Sequence, residues 1–329
     1  MRLDSRTLIS VLSVLSGLLG TMFLSGPVSA QDYPVKPVRI IVPFAAGGPA
    51  DLFARAMAQR LQESLGQNFI VENKVGGGAI IGTDAAAKSA ADGYTLLMMS
   101  NTHTVNESLI PVKPYELLRD FVPIAPVNSS DLLLVVHPSF PANSLKELIA
   151  LVKSKPGKYN YASSGPGTPY HMAGELFKAM SGTYIVHVPY RGSSGARTDV
   201  LGGQVEMMFD AITTMTEHVK SGRVRAIATS GKSRSQVLPD VPTLSESGVP
   251  GYEATIWLGL MAPKNTPAAI VEKLNAEIGK ITSRPELRAA WAKSGAVPMQ
   301  MSSPEFARFI SEDIAKWAKI VKISGAKAE

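Results

Sequence analysis

The most constraining feature of this sequence is a regular alternation of short apolar runs with amphipathic segments. The first apolar run, residues 38–44, precedes a segment over 51–65 in which Phe53, Met57, Leu61 and Leu65 recur every four residues. Apolar runs of this length are typical of buried strands, and the four-residue spacing is typical of a helix with one buried face. Segments 69–72, 80–90 and 94–99 continue as strand, helix and strand. This order predicts a parallel sheet with helices on its faces.

A second set of the same kind begins at residue 132. Its predicted strands are 132–136, 159–162, 184–188, 205–209 and 224–229, and its predicted helices are 144–154, 171–180, about 195–201 and 212–221. The last third is more helical, and Ser144, Ser283 and Ser302 each begin a Ser-x-x-Glu capping box.

No Gly/Ser-rich linker separates the two sets, so we expect an α/β protein of two lobes joined by strands that cross between them. The crossings are predicted near residues 128–131 and 228–231. The first lobe would then comprise 31–130 and 229–329, and the second lobe 131–228. Ligands of such sheets bind at the carboxyl ends of the strands, so the two lobes are expected to enclose a ligand cleft.

The first thirty residues have the pattern of a secretory signal peptide. Arg2 and Arg6 precede an apolar run over 8–24, and Val28-Ser29-Ala30 places small residues where a signal peptidase cuts. A retained membrane anchor is the alternative, although serines and glycines interrupt the run. The chain has no cysteine, so it carries neither a disulfide nor a lipid-modified cysteine. We therefore expect a periplasmic protein, cleaved after Ala30 and not lipid-anchored.

Composition and motifs exclude several classes of function. The 33 basic and 27 acidic side chains give a net charge of +6, but they are scattered, so no nucleic-acid partner is expected. No two of the five histidines lie three or four positions apart, so no metal site is expected. The sequence around Ser163 and Ser164 lacks the G-x-S-x-G elbow, and neither Gly76-Gly77-Gly78 nor Gly231-Lys232-Ser233 completes a nucleotide-binding motif. We expect no catalytic residues and no cofactor, and an exported hydrolase is only a remote alternative.

What remains is a set of small-residue loops that follow apolar strands. These loops are residues 44–48, 100–103, 163–168, 190–195 and 210–211. Two of them run directly into helix N-termini, where free N–H groups and the helix dipole favour an anion. The loops predict an anion site that has no dedicated cation.

Several motifs, in order along nearly all of the mature chain, resemble the tripartite tricarboxylate transporter receptors, also called the Bug receptors. The resemblance begins with Val42-Pro43-Phe44-Ala45-Ala46-Gly47-Gly48 followed by Asp51, and it continues through Asp92-Gly93-Tyr94-Thr95-Leu96-Leu97. It includes Ser163-Ser164-Gly165-Pro166-Gly167-Thr168 with His171, and then His187-Val188-Pro189-Tyr190-Arg191-Gly192. It ends with Pro239-Asp240-Val241-Pro242-Thr243 and Pro250-Gly251-Tyr252-Glu253.

The resemblance implies a type II, Venus-flytrap solute receptor in which each lobe is a mostly parallel sheet flanked by helices. In that family two loops, one from each lobe, close on a small carboxylate ligand. By position these loops correspond to residues 44–48 and 164–168 here. The first loop needs no lysine, because oriented backbone amides supply the positive potential.

The resemblance also implies roles for individual residues. Phe44 is expected to form an apolar wall, while Ala46, Gly47 and Gly48 present N–H groups to the ligand. Ser164, Gly165, Gly167 and Thr168 are expected to form the opposing loop, with the Thr168 hydroxyl donating to the carboxylate. Asp51 is expected either to orient a water or ligand amine or to cap its helix. Asp210 would hold the distal part of the ligand through water. The weaker candidates are Asn101, His103, His171 and Tyr190.

The expected partners are a small organic acid or amino acid and the membrane permease subunits of a tripartite transporter, with the receptor acting as a monomer. A receptor that presents its ligand to a membrane signalling kinase is the alternative, since both functions need the same closed form. The sequence leaves open whether the ligand is a tricarboxylate, a dicarboxylate, an acidic amino acid or an aromatic acid.

Overall fold

The structure is a computed structural model that describes residues 33–328. Its strands are β1 Val38–Val42, β2 Phe69–Asn73, β3 Thr95–Ser100, β4 Phe121–Val136, β5 Asn160–Ser163, β6 Val186–Pro189, β7 Met207–Ala211, β8 Arg225–Thr229, β9 Thr255–Pro263 and β10 Ala296–Pro298. The predicted signal peptide lies outside the described residues. None of the described helices is long and apolar enough to cross a membrane.

The helices connect these strands along the chain. They are α1 Pro49–Leu65, α2 Ile80–Ala87, α3 Asn101–Leu109, α4 Leu117–Asp120, α5 Leu145–Ser154, α6 Pro169–Ser181, α7 Ser193–Leu201, α8 Ile212–Lys220, α9 Ala268–Ser283, α10 Pro285–Ser294 and α11 Ser303–Ser324. The strand–helix alternation predicted from the apolar pattern is therefore present over most of the described chain.

The strands form two half-sheets. The first half-sheet has the order β2-β1-β3-β9-β4, with β10 paired to the far side of β4. The second half-sheet contains β8, β4, β7, β5 and β6. Each half-sheet has three parallel strands, β2-β1-β3 in the first and β7-β5-β6 in the second. The strands next to β4 are antiparallel to it, so each half-sheet is mixed.

Strand β4 belongs to both half-sheets. Its residues 121–131 pair with β9, and residues 132–136 pair with β7. The long strand therefore joins the halves by continuous backbone rather than by a flexible linker. The lobe boundaries predicted from the sequence remain a prediction.

Packing of the helices fills a separate core on each half-sheet. On the second half-sheet, Leu134 and Phe209 pack against Tyr161 and Phe177 with no exposed surface. On the first, the alternate residues of β3 pack with Trp257 of β9 and with Phe306 and Ile310 of α11. Burial of such side chains contributes roughly 1.5–3 kcal/mol each, which fixes the ends of the strands relative to one another.

Of the three predicted capping boxes, only the one at Ser302 forms in both directions; at Ser144 the Glu147 carboxylate accepts the Asn143 N–H instead. Ser302 caps α11 and Glu305 closes the box from the other side, and the Ser144 hydroxyl accepts the Glu147 N–H. The prediction at Ser283 is wrong, because Ser283 is the last residue of α9 and its hydroxyl donates to the Gly279 carbonyl at 2.7 Å. The N-cap of α10 is instead Arg284, since Pro285 forces an extended conformation on the residue before it.

Candidate functional site

The carboxyl ends of strands from both half-sheets meet at one narrow cavity, which we call the inner cavity. It has an empty volume of about 360 Å³. Its lining residues after β1 are Phe44, Ala45, Gly48, Pro49 and Ala50, and at β3 they are the terminal Ser100 and Thr102 beyond it. The lining residues after β5 and β6 are Ser164, Thr168, Pro169, Tyr170, Gly192 and Ser193. Ile256 and Leu258 of β9 form the remaining wall. Only about 30 Å³ of this space would admit a water-sized molecule, so in this closed form the cavity is nearly filled by its own walls.

Four of the five predicted loops therefore border the inner cavity. One of them differs from its prediction, because residues 101–103 are not a loop: α3 begins at Asn101, directly after β3. The fifth loop, at Asp210-Ala211, is not part of the cavity wall within the described chain.

Two of the bordering helices have open N-termini. Gly48 precedes α1 and Gly192 precedes α7, and in the described structure neither helix has a side chain that caps its first turn. By contrast, Ser100 caps α3 and Thr168 caps α6 through their hydroxyl oxygens. The unpaired N–H groups of α1 and α7 thus remain for an anion, and the helix dipoles add positive potential there.

The loops before α1 and α7 touch each other across the cavity. The Ser194 hydroxyl donates to the Ala46 carbonyl at 2.7 Å. Gly192 has φ +155°, and a Cβ on it would lie 2.4 Å from the Ala45 Cβ. Likewise, a Cβ on Gly48 would meet the Ser193 hydroxyl at 3.0 Å. These contacts close the cavity between the half-sheets.

Asp51 lies beneath the first loop and not at the cavity wall. It accepts hydrogen bonds from the Gly47 N–H, from Arg55 and from Asn73, each at 3.0 Å. Burial would raise the pKa of Asp51, but these hydrogen bonds outweigh it and the pKa lies below its usual value. The structure therefore favours the structural alternative for Asp51, although its contact is to the loop and not to the first turn of α1. The Gly47 N–H, predicted to face the ligand, is used by Asp51.

The loop over residues 164–168 also uses most of its own donors. The Gly165 N–H donates to the Ser163 hydroxyl at 3.0 Å, and the Gly167 N–H donates to His171 Nδ1 at 3.1 Å. The Thr168 hydroxyl donates to the Gly165 carbonyl at 2.7 Å. The predicted donation from Thr168 to a ligand stays a prediction, and it would require this hydrogen bond to break. Ser164 and Thr168 still line the cavity.

His171 and His187 support this loop from below as a stacked pair, with ring centroids 4.2 Å apart. Ser163 Oγ lies 2.6 Å from His187 Nε2. Burial lowers the pKa of His171 to about 4, helped by Lys178, and burial with the neighbouring His171 lowers the pKa of His187 to about 3. Both rings are neutral near pH 7, which leaves His171 Nδ1 free to accept the Gly167 N–H. His171 thus positions the loop and does not reach the inner cavity.

The other predicted residues lie around the cavity. Asn101 is buried and donates to the Thr255 carbonyl at 2.9 Å. His103 is fully buried, bonds to Ser100 and contacts the edge of the Phe44 ring. Burial lowers the pKa of His103 to about 4. The polar side-chain atoms of Asn101 and His103 are hydrogen-bonded within the protein, with one exception. Asn101 Oδ1 has no hydrogen-bond partner among the described residues.

Tyr190 and Asp210 make contacts of their own. Tyr190 donates to Asp199 and lines a second, larger space outside the inner cavity, together with Gly165 and Arg191. We call this space the outer cavity. Asp210 is fully buried and paired with Arg197, with Nε and Oδ2 2.7 Å apart. Its predicted contact with the distal part of a ligand has no direct geometric support.

Residues 190–195 were among the loops predicted from the sequence, but Gly192 and Ser193 were not named as site residues, and Tyr170, Ile256 and Leu258 were missed. Gly192 and Ser193 open α7, and their only sequence signal is the Gly-Ser-Ser-Gly stretch after a strand. Ile256 and Leu258 carry no polar signal at all. The described residues contain no group of three or more His, Asp or Glu side chains placed to hold a metal ion.

The arrangement is that of a two-lobed solute-binding receptor, and solved structures of periplasmic binding proteins share it. The chain is 38% identical to one periplasmic transporter structure, with a TM-score of 0.87 over 90% of this chain and 100% of that one. The chain belongs to the tripartite tricarboxylate transporter receptor family, because residues 53–326 match the model of the family described as Tripartite tricarboxylate transporter family receptor. The family resemblance and the two-lobed α/β fold class are confirmed. The expectation of mostly parallel sheets is wrong, because the strands that pair with β4, and β9 with β3, are antiparallel.

Individual relatives support the same assignment. The chain is 40% identical to protein BugT of Bordetella pertussis over 319 residues, which cover 96% of this chain and 98% of BugT. It is 33% identical to Rpa4515 of R. palustris, solved with adipate, with a TM-score of 0.88 over 90% of this chain and 99% of that one. It is 32% identical to MatC of Rhodopseudomonas palustris, solved with bound malate, with a TM-score of 0.84 over 88% and 100% of the two chains.

Proposed function

We propose that this protein captures a small carboxylate in the periplasm and delivers it to the membrane permease of a tripartite transporter. The observation that carries the proposal is the meeting of two uncapped helix N-termini, α1 and α7, at one closed cavity. Oriented N–H groups bind a carboxylate without a cation. Relatives of this chain were solved with adipate and with malate, which are both carboxylates.

Delivery follows from the way the cavity is closed. The contacts of Ser194 and Gly192 with the first loop exist only when the two half-sheets approach each other. A ligand held between α1 and α7 therefore stabilises the closed form over an open one. The closed form is what a permease would recognise. The protein is proposed to act as a monomer without enzymatic activity, after cleavage of its signal peptide.

The test is a thermal-shift screen on the protein lacking residues 1–30, unfolded and refolded to remove any bound ligand. A ligand present at 100 times its Kd should add about 2.7 kcal/mol of stability. For a protein of this size that raises the Tm by about 5 °C. The library should contain organic acids, amino acids and sugars, and each acid that shifts the Tm should be paired with its primary amide.

A carboxylate that shifts the Tm while its amide does not supports the proposal, since only the carboxylate gains from the helix N-termini. An amide that binds as tightly as its acid would contradict it. Delivery is tested separately by measuring uptake of the identified acid in cells with and without the receptor gene.

A further inference from the structure

Two buried hydroxyl groups at the inner cavity have no acceptor of their own within the protein. They belong to Tyr170, the second residue of α6, and to Ser193, the first residue of α7. Tyr170 is 3% exposed and Ser193 is 4% exposed. Among residues 33–328, neither hydroxyl donates to a backbone carbonyl or to a carboxylate. A buried hydroxyl without an acceptor is costly, so this pair points to an acceptor that comes from outside.

The two hydroxyls lie where the open N-termini of α1 and α7 meet. Gly48 precedes α1, and a Cβ built on it would lie 3.0 Å from the Ser193 hydroxyl oxygen. The Tyr170 hydroxyl lies beside that of Ser193. Tyr170 therefore reaches the place that the free N–H groups of both helices address, although it belongs to a third helix.

The two hydroxyls cannot satisfy each other completely. A pair of neighbouring hydroxyls has two protons, and when one hydroxyl donates to the other, the second proton still lacks an acceptor. The carboxylate behind Tyr170 does not supply one, because Asp210 accepts from Arg197 at 2.7 Å and from the Ala211 N–H at 2.8 Å. The pair thus offers at least one donor to the occupant of the cavity.

Tyr170 remains a neutral donor near pH 7. Burial, together with the nearby Asp210 carboxylate, raises the pKa of the Tyr170 phenol well above its usual value. The phenol therefore keeps its proton and carries no negative charge that would repel an anion. Hydrogen bonds from a neutral donor to an ionised acceptor are also stronger than those between two neutral groups.

We propose that Tyr170 is a ligand-binding residue of this receptor and that its hydroxyl donates to the carboxylate of the ligand. This inference rests on the proposed function of carboxylate capture and adds a contact residue to the same site. The room left in the closed inner cavity admits groups of the size of a water molecule, which is also about the size of one carboxylate oxygen.

Tyr170→Phe tests the inference, because it removes the hydroxyl and keeps the ring in the core. Malate, adipate and each acid that shifts the Tm of the wild-type protein are titrated by calorimetry into the refolded proteins. Every acid that binds the wild type should bind the variant at least about tenfold more weakly, because a hydrogen bond to a charged group is lost. Without ligand, the Tm should stay the same or rise, since the variant no longer buries a hydroxyl that lacks an acceptor.

Tyr252→Phe is the matched control. The Tyr252 ring is buried in the same core as Tyr170, and its hydroxyl donates to the Ala173 carbonyl of α6 at 2.7 Å. The control variant should therefore lose about 2–4 °C in Tm and keep the affinity of the wild type. The same chemical change thus lowers affinity alone at Tyr170 and stability alone at Tyr252.

The outcomes separate this inference from the proposed function. If Tyr170→Phe binds the acids as tightly as the wild type, the hydroxyl serves only a trapped water, and the inference is wrong while the receptor function stands. If the Tm of Tyr170→Phe falls as it does in Tyr252→Phe, the hydroxyl is bonded within the protein and the inference is also wrong. If the wild-type protein binds no acid of the wider library, the proposed function itself fails.

Discussion

The Thr168 hydroxyl was predicted to donate to a ligand, and in this structure it donates to the backbone of its own loop. Its position beside the cavity was predictable from the motif that contains it, since Gly-Thr-Pro after a strand is typical of a helix start. The direction of its proton was not, because that depends on the turn that brings the Gly165 carbonyl within 2.7 Å. Asp51, predicted either to contact a water or ligand or to cap its helix, accepts the Gly47 N–H of the first loop. His171, a weaker candidate for ligand contact, accepts the Gly167 N–H of the opposing loop.

Replacement of Thr168 tests the hydrogen bonds that its hydroxyl makes within the protein. Thr168→Ala removes the N-cap of α6 and the hydrogen bond to Gly165, so the free energy of unfolding should fall by about 1 to 2 kcal/mol. Urea denaturation without ligand measures the loss. Thr168→Ser keeps the hydroxyl and should recover most of it. If the serine variant were as unstable as the alanine variant, the methyl group would be responsible and not the cap.

The buried histidines predict a pH dependence of stability. His103 and His171 have a pKa of about 4 and His187 of about 3 in the folded protein, each lowered mainly by burial. In the unfolded chain they titrate near 6.5. Between about pH 4 and about pH 6.5 the unfolded state binds more protons, so these residues make stability fall as the pH falls. Above about pH 6.5 their contribution is complete.

A variant isolates the part due to His171, which faces His187, Glu175 and Lys178. His171→Gln removes one titrating group, so the slope of unfolding free energy against pH in this window should drop by about one proton, or about 1.4 kcal/mol per pH unit. Urea denaturation at several pH values gives the slope. An unchanged slope would show that His171 is protonated in the folded state or stays neutral in both.

At the scale of elements, the N-terminus of α7 is the contact on which closure depends. Gly192→Ala should oppose closure and lower ligand affinity by about tenfold or more, because its Cβ would overlap Ala45 and its φ of +155° disfavours a side chain. Gly195→Ala in the same helix is the control, since its Cβ would lie 3.4 Å from Tyr190. Calorimetric titration should show a loss only in the first variant. Equal affinities would mean that α7 does not meet α1 when the ligand binds.

The elements themselves were predictable where their pattern was local. Helices with a four-residue apolar stripe and strands followed by small-residue loops were predicted within a few residues of their observed ends. Residues 121–127 of β4 were missed, because Pro123 and Pro126 argue against a strand. In the structure both prolines lie where the register with β9 shifts, so the ladder tolerates them. Strand β9 was missed because its partners are distant in sequence.

At the scale of the whole molecule, the shared strand predicts cooperative unfolding. The described residues from 34 to 328 belong to one compact unit, and β4 pairs with strands of both half-sheets. Neither half-sheet can lose β4 without disturbing the other. Differential scanning calorimetry of the protein lacking residues 1–30 should therefore show one transition, with calorimetric and van't Hoff enthalpies in agreement. Two resolved transitions would show that the halves are independent.

The place of β9 in the first half-sheet has a consequence for how the protein is made. This strand lies between β3 and β4, yet it comes late in the chain, at residues 255–263. As the polypeptide emerges from its N-terminus onward, β3 and β4 have no partner at their facing edges until β9 has appeared. The second half-sheet is complete by residue 229, so it can form first. The first half-sheet, which carries the loop over residues 44–48, can be completed only after β9 has been synthesised. The nascent chain therefore cannot bind a ligand until nearly all of it has been made.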